Sequence, residues 1–201
     1  ITGINGGVGW LATDVGRQIY FNSGYATITA RTSATVAVAT VTTAFTNANA
    51  IAAWQLGSFS DTTGHPSCVT FFEQRLVFAG TTDQPQTIFF SKSGDYENMD
   101  ENIGGTVADD DAMVYTIASN QVNAIRFMTA TRTLIIGTAG GEFTVSGGGT
   151  DSAVTPTNIL IKKQSNHGSA NVDALAVGNA TLFLQRAKRK IRELAYNFDV
   201  D

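Results

Sequence analysis

Charge is what this chain has least of. Asp, Glu, Lys and Arg together make up 15% of its 201 residues, where soluble domains commonly carry about a quarter. The net charge is −4, which argues against free binding to nucleic acid through an overall basic footprint. One cysteine, Cys68, excludes an intrachain disulfide. In Ser67-Cys68-Val69-Thr70-Phe71 it reads as a small, buried, apolar strand residue, compatible with a reducing compartment. The two histidines, His65 and His167, both sit in turn sequences without a nucleophile elbow. No segment reaches the roughly 18 apolar residues of a membrane-spanning helix. No charged-then-apolar leader opens the chain. It starts at Ile1 and stops at Asp201 just after a strand, and reads as an internal piece of a longer protein. Thr, Ala and Gly take the place of charge, a composition suited to packed structural proteins.

What is present is a repeat. Leu76-Val77-Phe78, Leu134-Ile135-Ile136 and Leu182-Phe183-Leu184 are the strongest strand signals. Each follows an apolar run (69–72, 125–128, 175–177) and precedes another (88–90, 143–145, 191–194). Phe143 follows Leu134 by nine residues, as Ile191 follows Leu182. A more distant strand is expected to lead each unit: Trp54 to Leu56, Val114 to Ile117 and Ile159 to Ile161. Four-strand units at a period of about 40–60 residues read as β-propeller blades. The expected architecture is all-β, with about three blades over 54–201 and a small β-strand domain over 1–50.

In that N-terminal domain Asp14-Val15-Gly16-Arg17 is a turn feeding a strand over 18–21. Two Thr- and Val-rich strands follow over 25–31 and 35–42, where β-branched side chains suit a pleated surface. The small-residue stretch 44–53 reads as a short helix or a linker. Gly140-Gly141 is expected to form a hairpin with positive φ. Residues 95–111 form an acidic loop insert, placed between the first and second blades.

Several connected motifs carry a resemblance. They are Trp54 to Asp61, Gly64 to Phe71, Gln74 to Gly80, Gln84 to Ile88, Ser91 to Tyr96, Asp109 to Ala112, Gln121 to Ile125 and Gly140 to Glu142. In this order they resemble the tail nozzle proteins (tail tubular protein B) of short-tailed bacteriophages. The turn 14–17 and the strands after it resemble the small β domain that precedes the propeller there. The resemblance implies a virion protein assembled in the host cytoplasm, in a six-fold homo-oligomeric ring at the distal end of the tail. It further implies tail adaptor and tail fibre partners, and double-stranded DNA passing through the channel without specific binding. Rival readings are a glycan-binding propeller adhesin and a glycan-cleaving propeller enzyme.

No catalytic constellation, cofactor or metal site is expected. Asp109, Asp110 and Asp111 are hard oxygen ligands, but consecutive residues of an extended chain point to opposite faces. They read as an exposed acidic turn. Glu73, Glu142 and Glu193 flank blade strands. Paired carboxyls would serve glycoside cleavage, and charged hairpin residues facing solvent are the plainer reading. Trp54, Tyr96 and Tyr115 read as blade packing before sugar stacking. Gly6-Gly7-Val8-Gly9 and Gly147-Gly148-Gly149 lack the Gly-Lys-Ser/Thr of a phosphate loop.

Charge is segregated instead. Acidic residues crowd 95–111, and Arg186, Lys188, Arg189, Lys190 and Arg192 crowd a hairpin near the end. These basic residues, with Asp109, Asp110 and Asp111, are the candidate subunit-interface or channel charges. The basic cluster is expected to meet acidic groups of a neighbouring subunit or of the 95–111 insert. Arg75 and Asp95 are expected to be structural.

Overall fold

Four antiparallel sheets account for the regular structure in the computed structural model, which describes residues 3–49, 51–118, 123–149 and 152–195. Gln121 and Val122 of one resemblance motif lie outside the described residues. The N-terminal sheet contains β1 (Gln18–Phe21), β2 (Gly24–Arg31), β3 (Ala37–Thr43) and β4 (Gln55–Leu56), in the order β3-β2-β1-β4. Sheet I follows with β5 (Cys68–Phe72), β6 (Arg75–Ala79), β7 (Thr87–Phe90) and β8 (Met113–Thr116) in sequential order. Sheet II contains β9 (Ile125–Ala130), β10 (Leu134–Thr138), β11 (Gly141–Ser146) and β12 (Leu160–Ser165). Sheet III contains β13 (Leu175–Val177), β14 (Ala180–Leu184) and β15 (Ile191–Ala195). The chain is all-β, as its β-branched, period-two segments predict.

The repeat is real, but its phase is one strand off the expected one. Each strand expected to lead a unit closes the preceding sheet. Gln55 and Leu56 pair with Tyr20 and Ile19 of β1. β8 pairs with β7, and β12 with β11. A leading and a closing strand have the same hydrophobic pattern, so periodicity cannot separate them. The acidic insert therefore lies inside sheet I, between β7 and β8, rather than between blades.

Adjacent sheets stack face to face. Val77, Ala79, Ile88, Phe90 and Met113 of sheet I pack against Ile125, Leu134, Ile136, Phe143 and Val145 of sheet II. This is the largest core of the molecule. Phe127 and Ile135, on the other face of sheet II, meet Phe183 of sheet III. The first strands β5 and β9 run alongside each other. A bulge beside Gly137 in the β9–β10 ladder accompanies this change of face along β9. Any side chain at Gly137 would collide with the Phe127 ring.

Leu134 and Ile136 point into the core as expected, both fully buried. Leu76, Phe78, Leu182 and Leu184 do not. They lie half-buried on the opposite face from Val77, Ala79 and Phe183. One residue of offset flips a whole strand, and an apolar run of three leaves the choice of face undetermined.

The turns hold further corrections. Neither Gly140 nor Gly141 adopts positive φ. A Cβ at Gly140 would meet the Asn123 side-chain amide, which would have to move. Left-handed φ occurs instead at other turns, among them Glu73 (φ 47°) and Gln74 (φ 59°) at the tip of the β5–β6 hairpin. Such φ values cost non-glycine residues energy. Here the Val154 N–H donates to Glu73 Oε2 at 2.6 Å and the Gly94 N–H to the Gln74 carbonyl at 2.8 Å. Within 44–53 no helix forms among the described residues, and Phe45 stacks on Phe21 with ring centroids 4.0 Å apart.

Asp14 to Arg17 is a turn, as read, and its charges are buried. Arg17 Nη1 donates to Asp14 Oδ1 at 2.8 Å and Arg17 Nε to the Gly57 carbonyl at 2.6 Å. The pair thereby ties the N-terminal sheet to the connection into sheet I. Phe59 continues that connection, packing edge-on against Phe78 and Phe89.

Candidate functional site

Strand directions give the stack two ends. The upper end carries the β6–β7, β10–β11 and β14–β15 connections, and the lower end carries the β5–β6 hairpin and the acidic insert. Contacts between sheets respect this division. The Ile125 N–H donates to the Pro85 carbonyl at 2.9 Å and the Ser169 N–H to the Thr138 carbonyl at 2.8 Å, both at the upper end.

At the lower end Arg75 organises the acidic insert. Its side chain is buried, and Nη1 donates to the carbonyls of Ser91 (2.7 Å) and Asp111 (2.7 Å). Nη2 donates to the Asp109 carbonyl at 2.6 Å. Burial holds this guanidinium below its ordinary value, opposed by the surrounding carboxylates, Asp110 first. Arg75 thereby clamps the backbone of the insert. Asp95 closes a bridge with Lys92 and accepts from Asn98 Nδ2 at 3.1 Å.

Asp111 departs from the exposed acidic turn expected of it. Asp109 and Asp110 are exposed, whereas Asp111 is buried. Lys92 Nζ lies 2.6 Å from Asp111 Oδ1, and the Ala108 N–H donates to Oδ2 at 2.8 Å. Burial pushes the Asp111 carboxyl up, but these donors outweigh it and hold it below the ordinary range. Asp111 is thereby spent inside its own loop. A lone Asp among three acids has no sequence mark of this; its partner, Lys92, is far along the chain.

The insert also straps the N-terminal sheet to sheet I. The Met99 N–H donates to Tyr20 Oη at 3.1 Å, and Gln55 Nε2 donates to Glu101 Oε1 at 2.6 Å. Burial raises both the Tyr20 phenol and the Glu101 carboxyl above their ordinary values.

An open groove of about 920 Å³ lies at the lower end between sheets I and II, lined by Glu73, Arg75, Asp109, Arg132, Lys162 and the Gly147–Gly149 loop among others. The carboxylates of the glycosidase reading do not act together there. Glu142 is fully buried, contrary to the solvent-facing expectation, and accepts from the hydroxyls of Ser165 and Ser169. Glu193 lies on sheet III. The aromatics are also engaged in structure: Tyr115 Oη donates to the Pro156 carbonyl at 2.6 Å, and Trp54 packs into the N-terminal core. Tyr96 stacks edge-on against Phe71. Among the described residues no group of three or more His, Cys, Asp or Glu is arranged to hold a metal ion. No described helix is long and apolar enough to cross a membrane.

The basic hairpin is where the sequence reading put it. Arg186, Lys188, Arg189 and Lys190 are exposed in the β14–β15 connection, with Lys188 at φ 57°. Arg192 is half-buried beside Phe183, its Nε donating to Gln185 Oε1 at 3.2 Å. The hairpin stands at the upper end, opposite the acidic insert, and no described residue of the insert forms an ion pair with it. The intrachain partner expected from sequence is thus excluded by direction of the strands.

Apolar side chains are exposed on the outer face of each terminal sheet, while Phe59 covers Phe78 and Phe89 on that of sheet I. On sheet I, Val69 and Phe71 are 61% and 60% exposed; on sheet III, Leu175 and Ile191 are 63% and 73% exposed. Compared with known proteins, the chain matches no family model and no curated sequence.

Proposed function

We propose that the chain is the propeller segment of a structural ring protein, a nozzle subunit at the distal end of a short phage tail. One observation carries this reading: three similar sheets stack in sequence and still leave apolar side chains exposed on the outer faces of the first and last. A propeller blade buries its faces against its neighbours, so exposed apolar side chains on the terminal sheets are what an unfinished circle of blades presents. The side-by-side placement of the first strands β5 and β9 supports the same geometry, because first strands crowd the axis of a propeller. The order of the motifs from Trp54 to Glu142 supports the nozzle assignment.

The chemistry of such a part is contact and passage. A net charge of −4 suits a wall that repels a moving DNA backbone rather than gripping it. Adaptor and fibre proteins of the tail are its proposed partners, and the virion its location. Electron microscopy of the purified protein, paired with a glycan array, tests the reading. Rings with an axial channel and no retained glycan support it. Monomers that retain a defined glycan overturn it in favour of an adhesin.

A further inference from the structure

We propose that the outer edge of β3 pairs, antiparallel, with the same strand of a second copy of this chain, joining the two N-terminal sheets into one. The inference goes beyond the ring reading and does not depend on it, because β3 belongs to none of sheets I to III.

Backbone direction identifies the edge. β3 ends the order β3-β2-β1-β4, so β2 covers one side of it only. Ile28 of β2 spends both backbone groups on the β1 side. The Gly16 N–H donates to its carbonyl at 2.8 Å, and its own N–H donates to the Arg17 carbonyl at 2.9 Å. Its partner across the ladder is Ala39. Opposite residues of such a pair point their backbone groups apart, so the N–H and C=O of Ala39 face away from β2. Alternation along the strand puts those of Ala37 and Val41 on the same outer edge. None of these groups has a hydrogen-bond partner among the described residues. The two bulges of the β2–β3 ladder set their extra residues at Thr29 and Thr42, so the edge runs unbroken from Ala37 to Val41.

An open edge templates pairing with another chain, and proteins commonly guard it with charge, proline, brevity or a cover. The other edge strands here are guarded. β12 and β15 carry Lys162, Lys163, Arg192 and Glu193, and β9 carries Arg126. β4, β8 and β13 have 2, 4 and 3 residues. β5 lies alongside β9. β3 has 7 residues, and neither a charge nor a proline occurs between Arg31 and Asp61. Val38 and Val41 are 51% and 53% exposed.

The missing charge also selects the occupant. A twofold pair centred on Ala39 sets Ala37 against Val41 of the second copy, and Val38 against its Thr40. The outward groups at 37, 39 and 41 are symmetric about Ala39, so every N–H meets a C=O. A charged strand would meet its own charge in such a pair and repel itself; β3 has none. Recognition of an unlike partner draws on complementary charge, and this edge offers none.

The test compares the parent chain with Ala39→Pro and Val38→Lys by sedimentation velocity over a concentration series. Proline at 39 removes an N–H that points away from β2, so the β2–β3 ladder keeps its bonds, and circular dichroism checks the fold. Each change occurs twice in a symmetric pair and weakens association about tenfold. Mixing the Val38→Lys chain with a Thr40→Glu chain restores it, because the two positions stand opposite each other. Amide hydrogen exchange at Ala39 and Val41 slows as the parent concentration rises. Equal association of parent and variants, or exchange at these two amides that is the same at every concentration, overturns the inference. Rings seen by electron microscopy with both amides unprotected leave the ring reading standing and sink this one alone.

Discussion

Lys92 Nζ sits 2.6 Å from Asp111 Oδ1, joining the end of β7 to the last turn of the acidic insert. Asp111 has a folded pKa below its unfolded value. Its contribution is therefore complete above the unfolded carboxyl pKa of about 3.9 and is lost as pH falls through the lower folded value. Lys92 is raised: burial lowers it, but the Asp111 carboxylate prevails. Its contribution is complete below the unfolded lysine pKa of about 10.4 and is lost as pH rises through the folded value. Asp111→Asn should flatten the acid limb of a stability–pH curve followed by chemical denaturation. An unchanged acid limb would remove Asp111 from the account.

Arg75→Lys tests the backbone-clamping role. The guanidinium reaches three carbonyls within 2.7 Å, from Ser91, Asp109 and Asp111. A lysine cannot span this fan of acceptors. The substitution should cost about 2 kcal/mol in urea denaturation, the order of a lost hydrogen bond to a charged group. Full stability in the lysine variant would show that charge alone suffices there.

Leu134 and Leu182 occupy the same place in the sequence repeat and opposite faces in the fold. Leu134→Ala should cost about 2–5 kcal/mol, as for a fully buried leucine. Leu182→Ala should cost clearly less in the isolated chain, because Leu182 is only half-buried on the open face of sheet III. Equal losses would contradict the assigned faces.

Thr181 Oγ1 is buried with no hydrogen-bond partner among the described residues. Thr181→Val removes that oxygen without changing the shape of the site. Leaving a buried polar group unpaired costs about 1–3 kcal/mol, so the valine variant should melt higher by differential scanning calorimetry. A lower melting temperature would mean that the hydroxyl is satisfied in solution.

The strands were legible because the sequence alternates and carries β-branched residues: the expected strand 18–21 coincides with β1, and the apolar runs 125–128 and 134–136 lie within β9 and β10. Their grouping was not legible. Nothing local distinguishes a strand that opens a sheet from one that closes it, so the sequence leaves the neighbours of β4, β8 and β12 undetermined. Burial of charge was equally hidden. Asp111 and Glu142 look like hairpin and loop acids, and only Lys92, Ser165 and Ser169, brought from other strands, make their burial tolerable. The basic hairpin was readable from its charge run, whereas its partner depended on which end of the sheets it occupies. That fact exists only once strand directions are known.

Cryo-electron microscopy of the assembled protein tests the central claim most directly. The account predicts a closed ring in which successive sheets fan about an axis, with β5, β9 and β13 innermost and β8 and β12 outermost. Averages that contain only isolated molecules, or sheets whose first strands lie on the outside, would contradict it.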